Sequence, residues 1–235
     1  MTKRIIPLIA VAAFAATPSF AKPVVLELFT SQGCSSCPPA DKVLQEAAKL
    51  DGVVAISRPI TYWDRLGWKD TLARPENTAR QNQYRKLSGR TGVYTPQIVI
   101  DGDWEGNGGN RGKVFRQIRK TLAEDTPAEV SLTRASDGRF AIEIRGETSA
   151  EMGEVRLISL ESAPTVNIGH GENQGRQITY TNVVKEERRV GTWTGGAKRF
   201  LIDQAKIDAL TGDRLAVVVQ RPGLGEVLGA AIISR

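Results

Sequence analysis

Hydrophobic positions follow two regimes along this chain. In the first, near-continuous apolar runs alternate with stretches of helical period. Residues 24–29 (Val-Val-Leu-Glu-Leu-Phe) form such a run, as a strand covered on both faces requires. A turn-rich patch over 30–39 follows, then 41–50, where Val43, Leu44, Ala47 and Ala48 fall on one helical stripe. Residues 53–57 predict a second strand. The stretch 68–89 is polar and predicts a helix in its later part, with Pro75 in the first turn. Residues 97–100 (Gln-Ile-Val-Ile) predict a third strand, turned back by Asp101-Gly102-Asp103 into a short fourth near Trp104. After a loop at 106–109, Val114, Phe115, Ile118 and Leu122 mark one face of a helix over 111–123. The order is β-α-β-α-β-β-α, a compact α/β sandwich.

Past Asp125-Thr126-Pro127 the period becomes two. Phe140, Ile142 and Ile144 alternate with Ala141, Glu143 and Arg145 behind a Ser136-Asp137-Gly138 turn. Residues 155–160, 178–184 and 215–219 predict further strands, and 202–210 a helix. The chain therefore divides into an α/β domain over 22–125 and a mostly antiparallel, sandwich-like β domain over 126–235.

Residues 1–21 have the three parts of a secretory leader: Lys3 and Arg4, a nearly all-apolar stretch over 5–16, and small residues at Ser19 and Ala21. Cleavage is expected after Ala21, delivering the protein to a periplasm or the exterior. Losing Lys3 and Arg4 takes the 32 basic residues to 30 against 26 acidic ones. So mild an excess gives no nucleic-acid footprint; the clusters around Arg85 and Arg188 read as solvated faces. No later apolar stretch approaches the roughly 20 residues of a membrane span.

Composition adds one sharp feature: 235 residues hold only two cysteines, both in Gly33-Cys34-Ser35-Ser36-Cys37-Pro38-Pro39. The pair lies after a predicted strand and before a predicted helix. Unpaired N–H groups and the dipole at a helix start favour an anion, so Cys34 is expected to ionise readily and attack. Cys37, two residues further on, would resolve the mixed disulfide. A disulfide across so short a loop constrains little of the unfolded chain, which argues for chemistry over stapling. Thr95-Pro96 opens the third strand, and a cis bond there would turn the Thr95 backbone outward for a substrate strand.

These features together resemble a thioredoxin-like domain over 23–124. The wording of residues 28–41, Leu-Phe-Thr-Ser-Gln-Gly-Cys-Ser-Ser-Cys-Pro-Pro-Ala-Asp, with Tyr62-Trp63-Asp64 and Thr95-Pro96-Gln97, is similar to a family of exported bacterial thioredoxin-like proteins of unassigned function. The stretch Gly171-Glu172-Asn173-Gln174-Gly175-Arg176 extends that resemblance into the second half. The resemblance implies that Cys34 and Cys37 are the redox pair, that Pro96 is the cis-proline with Thr95 before it, and that Glu27 is a buried acid relaying protons to the second sulfur. Ser35-Ser36 between the cysteines supplies hydrogen bonds but no charge, and leaves the direction of electron flow open.

The expected function is thus an exported thiol-disulfide oxidoreductase, with no cofactor, acting on protein or peptide thiols and recharged by a redox partner. Two other readings use the same residues. One is a periplasmic metal module, copper in particular; against it, His170 is the sole histidine, the mature chain keeps only Met152, and no second Cys-x-x-C exists. The other is a non-catalytic scaffold. Trp63, after the second strand, reads as core filler or as a wall beside the sulfurs. His170, between glycines, reads as a solvent-facing loop residue or as a base or partner contact facing Cys34. Residues 101–110 lack the spacing and closing glutamate of a calcium loop, and 106–109 lack the lysine of a phosphate loop.

Overall fold

A computed structural model describes residues 23–147 and 152–235; the expected leader over 1–21 lies outside them. The first half runs β1 (Val24–Thr30), α1 (Pro38–Ala47), β2 (Val53–Pro59), α2 (Pro75–Leu87), β3 (Gln97–Ile100), β4 (Trp104–Asn107) and α3 (Arg111–Leu122). The second runs β5 (Ala128–Arg134), β6 (Phe140–Gly146), β7 (Gly153–Glu161), β8 (Thr165–Asn167), β9 (Gln177–Thr179), β10 (Val183–Trp193), β11 (Lys198–Ile202), α4 (Gln204–Asp208), β12 (Arg214–Gln220) and β13 (Val227–Ser234). The fold is mixed α/β, with a large, mainly antiparallel sheet and four α-helices among the described residues.

That sheet has eight strands in the order β13-β12-β7-β10-β2-β1-β3-β4, so it takes strands from both sides of the expected 125/126 boundary. β1 pairs parallel with β2 and antiparallel with β3. All seven residues of β1 are buried, which explains their unbroken apolar run. Leu26 and Leu28 pack under Val43, Leu44 and Ala47 of α1 and Val114 and Ile118 of α3. The halves join where β10 meets β2 at Val183 and Ser57. Asn182, at φ 49°, turns the chain into that junction, and its side-chain amide donates to the Ala55 carbonyl at 2.8 Å. The β13 edge also folds back onto the middle of the sheet: Val25 of β1 and Val54 and Ile56 of β2 pack with Val227 and Ala230. Gly102, at φ 74°, lets this happen, since a Cβ there would stand 2.2 Å from the Gly225 carbonyl oxygen.

A second sheet, β11-β6-β5, covers the β7-β12-β13 end through Leu132, Ile142, Ile144, Leu157, Leu215 and Val217. Three expectations need correction. The run 178–184 is two strands, β9 and β10, because the left-handed Asn182 breaks it. The helix over 202–210 shrinks to the five residues of α4, with Ile202 ending a strand instead. Residues 106 and 107 belong to β4 rather than to a loop.

Candidate functional site

The two cysteines lie where β1 ends and α1 begins, joined in a disulfide with Cα atoms 5.4 Å apart. Cys37 is the N-cap of α1, with Pro38 and Pro39 in its first two positions. The expected set of free donors at this helix start is not there. The prolines have no N–H, and the N–H groups of Ala40 and Asp41 both donate to the Cys37 carbonyl, at 2.8 and 3.1 Å. The Cys37 N–H donates to the Cys34 carbonyl at 3.1 Å. Ser36 supplies a polar contact to the first sulfur, its hydroxyl oxygen lying 3.3 Å from Cys34 Sγ. Both cysteines are fully buried, at 0% exposure, whereas Ser35 and Ser36 between them are exposed.

The Thr95–Pro96 peptide bond is cis. Antiparallel pairing of Phe29 with Gln97 sets the start of β3 beside the end of β1, the same end of the sheet from which the cysteine loop leaves. Trp63 bridges the two segments: its indole N–H donates to Thr95 Oγ1 at 2.8 Å, and its Cβ lies 3.4 Å from where a side chain at Gly33 would begin. The structure thus brings Trp63, Thr95, Pro96 and the cysteine loop together. His170 is exposed and lies beside Trp68, the rings tilted by 45° with centroids 6.4 Å apart, and it has no hydrogen bond to the cysteine loop.

Glu27, expected as a proton relay to the second sulfur, sits in a buried ion-pair network. It is buried on β1, but Arg58 and Arg80 both ion-pair with it, and the Tyr84 hydroxyl donates to it at 2.5 Å. Burial alone would push its carboxyl up; the two arginine charges and these hydrogen bonds outweigh that and hold it down at about 2. An acid that stays ionised throughout the neutral range cannot lend a proton there. Glu27 instead anchors a network that joins the halves: Arg58 also donates to Glu187 at 2.8 Å, and Arg80 to Gln220 at 2.9 Å.

The residues that fit a relay are ones the sequence did not single out. Asp41 lies four residues after Cys37 on α1, hence on the same helix face, and it is 5% exposed. Neither of its carboxyl oxygens has a well-formed hydrogen bond, the nearby Thr30 hydroxyl being its sole polar aid. Burial pushes it up to about 7; the neighbouring Thr30 hydroxyl offsets part of this and the charge of Asp70 adds to it. Asp70, raised by burial to about 6, accepts from the Gln32 N–H at 2.8 Å. Tyr180 from the second half completes the cluster, 1% exposed, its hydroxyl without a partner and its acidity weakened by burial and by both aspartates.

The second half also reaches the cysteine loop from outside. Asn173, wholly buried, donates through Nδ2 to the carbonyls of Gln32 at 2.9 Å and Cys34 at 2.8 Å. Glu172 accepts from the Ser35 N–H at 3.0 Å. Gly169 and Gly171 lie on Trp68, whose indole N–H donates to Gln32 Oε1 at 2.8 Å. Among the described residues, no group of three or more His, Cys, Asp or Glu side chains is arranged to hold a metal ion, and no helix is long and apolar enough to cross a membrane.

Comparison with known proteins places this geometry in context. A model of the family described as "Protein of unknown function (DUF1223)" matches residues 25–220, and the chain belongs to that family. It is similar to a protein from Agrobacterium tumefaciens solved by X-ray crystallography, with 30% identity, a TM-score of 0.80, and coverage of 92% of this chain and 95% of that one. It shares a fold with HBP35 of Porphyromonas gingivalis at 15% identity and a TM-score of 0.57, over 93% of this chain and 76% of that one. A short segment is 49% identical over 37 residues to a "Probable Thioredoxin" of Archaeoglobus fulgidus; it is 16% of this chain and spans 41% of the relative's length.

Proposed function

We propose that this member of the DUF1223 family is a thiol-disulfide oxidoreductase with a thioredoxin-like first half, working by dithiol–disulfide exchange at Cys34 and Cys37. The observation that carries the reading is a disulfide three residues apart in sequence at the start of α1, on the sheet end that also holds the cis Thr95–Pro96 bond. The segment shared with a probable thioredoxin supports it. The leader pattern of residues 1–21 supports export to an oxidising compartment.

The exchange balances as follows. A partner thiolate attacks Cys34 Sγ; the Cys34–Cys37 bond breaks, and Cys37 departs as a thiolate. Asp41, on the same helix face and poised near neutrality, gives it a proton. The partner's second thiol loses its proton to solvent and attacks its own sulfur in the mixed disulfide; Cys34 leaves as a thiolate and takes a proton from solvent. The partner dithiol is oxidised by two electrons and the Cys34–Cys37 disulfide is reduced to two thiols. In reverse, Asp41 takes the proton from Cys37. The test is turbidimetric reduction of insulin, paired with oxidation of a reduced peptide. Activity in either that Cys34→Ser abolishes supports the reading; activity in neither refutes it.

A further inference from the structure

Residues 168–176 form a loop that the exchange chemistry leaves unexplained. Its backbone closes on itself, the Ile168 N–H donating to the Arg176 carbonyl at 2.9 Å and the Gly175 N–H to the Ile168 carbonyl at 2.8 Å. Its side chains, however, grip the cysteine loop on both sides of Cys34: Asn173 holds the carbonyls of Gln32 and Cys34, and Glu172 holds the N–H of Ser35. The gripped segment is the one whose two cysteines have no exposed surface.

We propose that residues 168–176 are a strap over the Cys34–Cys37 disulfide, with Asn173 and Glu172 as the positioning residues that keep it shut, so that exchange favours a macromolecular partner able to displace it over small free thiols. The proposal rests on the redox reading of the same site. A buried sulfur cannot be attacked until the covering segment moves. A small thiol brings no binding energy to that movement, whereas a protein that binds only the open form shifts the equilibrium toward it. The grip is suited to release. Asn173 Oδ1 is buried with no partner, and Glu172 is exposed, so opening trades three hydrogen bonds for bonds to water. Glu172 also sets a carboxylate against the residue after Cys34. It is held below its usual range by the Ser35 contacts.

The test needs no partner protein. Full-length oxidised protein is treated with a small water-soluble phosphine, which becomes its oxide while both sulfurs become thiols, and thiol release is timed after acid quenching. Asn173→Ala removes two hydrogen bonds and is expected to speed reduction about 10- to 30-fold. Glu172→Ala removes one, at an exposed residue, and is expected to speed it about 3- to 10-fold with an unchanged melting temperature. Lys206→Ala, on α4, is expected to match the wild type. Equal rates in all four proteins overturn the strap. So does a speed-up in Asn173→Ala alone that scales with lost thermal stability. Fast reduction of both strap variants, with no insulin reduction by any form, keeps the strap and defeats the oxidoreductase reading.

Discussion

Asp41→Asn separates the buried-acid argument from every other feature of the site. The Asp41 carboxyl rises from 3.8 to about 7 on folding. Between those values the native state holds a proton that the unfolded chain has released. Stability from this group is therefore fully present below about pH 4 and is lost as pH climbs through 7. A rise of about three units corresponds to a loss of up to about 4 kcal/mol at alkaline pH. Asparagine is close in shape to the protonated acid and never ionises, so urea midpoints of variant and wild type should nearly coincide at pH 4 and diverge by pH 8, with the variant the more stable. Exchange should change in the opposite sense: without a proton donor and acceptor beside Cys37, turnover falls about 100-fold. The wild-type rate should bend between about pH 6 and 7, where the coupled Asp41–Asp70 pair titrates, and the bend should weaken in the variant. A variant that loses stability at pH 8, or keeps the wild-type rate and bend, refutes the assignment.

Other outcomes follow from the same geometry. Cys37→Ser should trap a partner on Cys34 as a mixed disulfide visible on non-reducing gels, because the group that would resolve it is gone. Glu27→Gln should destabilise the protein by about 3 kcal/mol in urea while leaving the bend in the exchange rate in place, since it leaves buried Arg58 and Arg80 to share the single carboxylate of Glu187 without touching the sulfurs. Because its folded value lies near 2 against an ordinary 4.5, the stability Glu27 contributes is present above about pH 4.5 and fades as pH falls toward 2, which acid unfolding should register. Asn182→Ala should cost about 2 kcal/mol, through the lost bond to Ala55 and the left-handed backbone that alanine resists.

How much of this was legible depends on whether a residue's role is set by its neighbours in sequence or in space. β1 and β3 announce themselves because burial on both faces demands unbroken apolar runs, and residues 97–100 match β3 at both ends. α1 begins three residues before the expected start because prolines, usually read as breakers, fill its first two positions. α2 gives a weak signal because the face it buries is mostly polar: Asn77, Arg80, Gln81 and Tyr84 recur at helical spacing, with Arg80 on Glu27, Gln81 on Gln97, and only Tyr84 packing among apolar side chains. The same fact hid the partners of Glu27. Its apolar neighbours rightly indicate burial, but the arginines that fix its charge come from β2 and α2, 31 and 53 residues away. The edge strands β5, β8, β11 and β13 were not foreseen. β5, β8 and β11 are partly exposed and break the strict apolar alternation, β8 is only three residues long, and β11 pairs with β6 across more than fifty residues. Asp41 could have been found from its spacing to Cys37, and the stretch over 171–176 was visible as a motif though its grip on Cys34 was not; Tyr180 had no local signal at all.

Those distant residues change what the second half is for. Tyr180 closes the aspartate cluster from within, while Asn173 and Glu172 close the cysteine loop from without, and all three come from residues 168–180. On the proposed reading, the strap over 168–176 and Tyr180 just beyond it would together keep water from Asp41. Displacing the strap would admit water, lower the cost of charging Asp41, and make it the stronger acid just as Cys37 needs a proton. Release of the cover and release of the proton would then be one event rather than two. A strap variant should accordingly show its rate bend at lower pH than the wild type. A bend that stays in place when Asn173 is replaced would mean that the acid cluster is kept dry by Tyr180 and α1 alone, and that the strap controls access and nothing else.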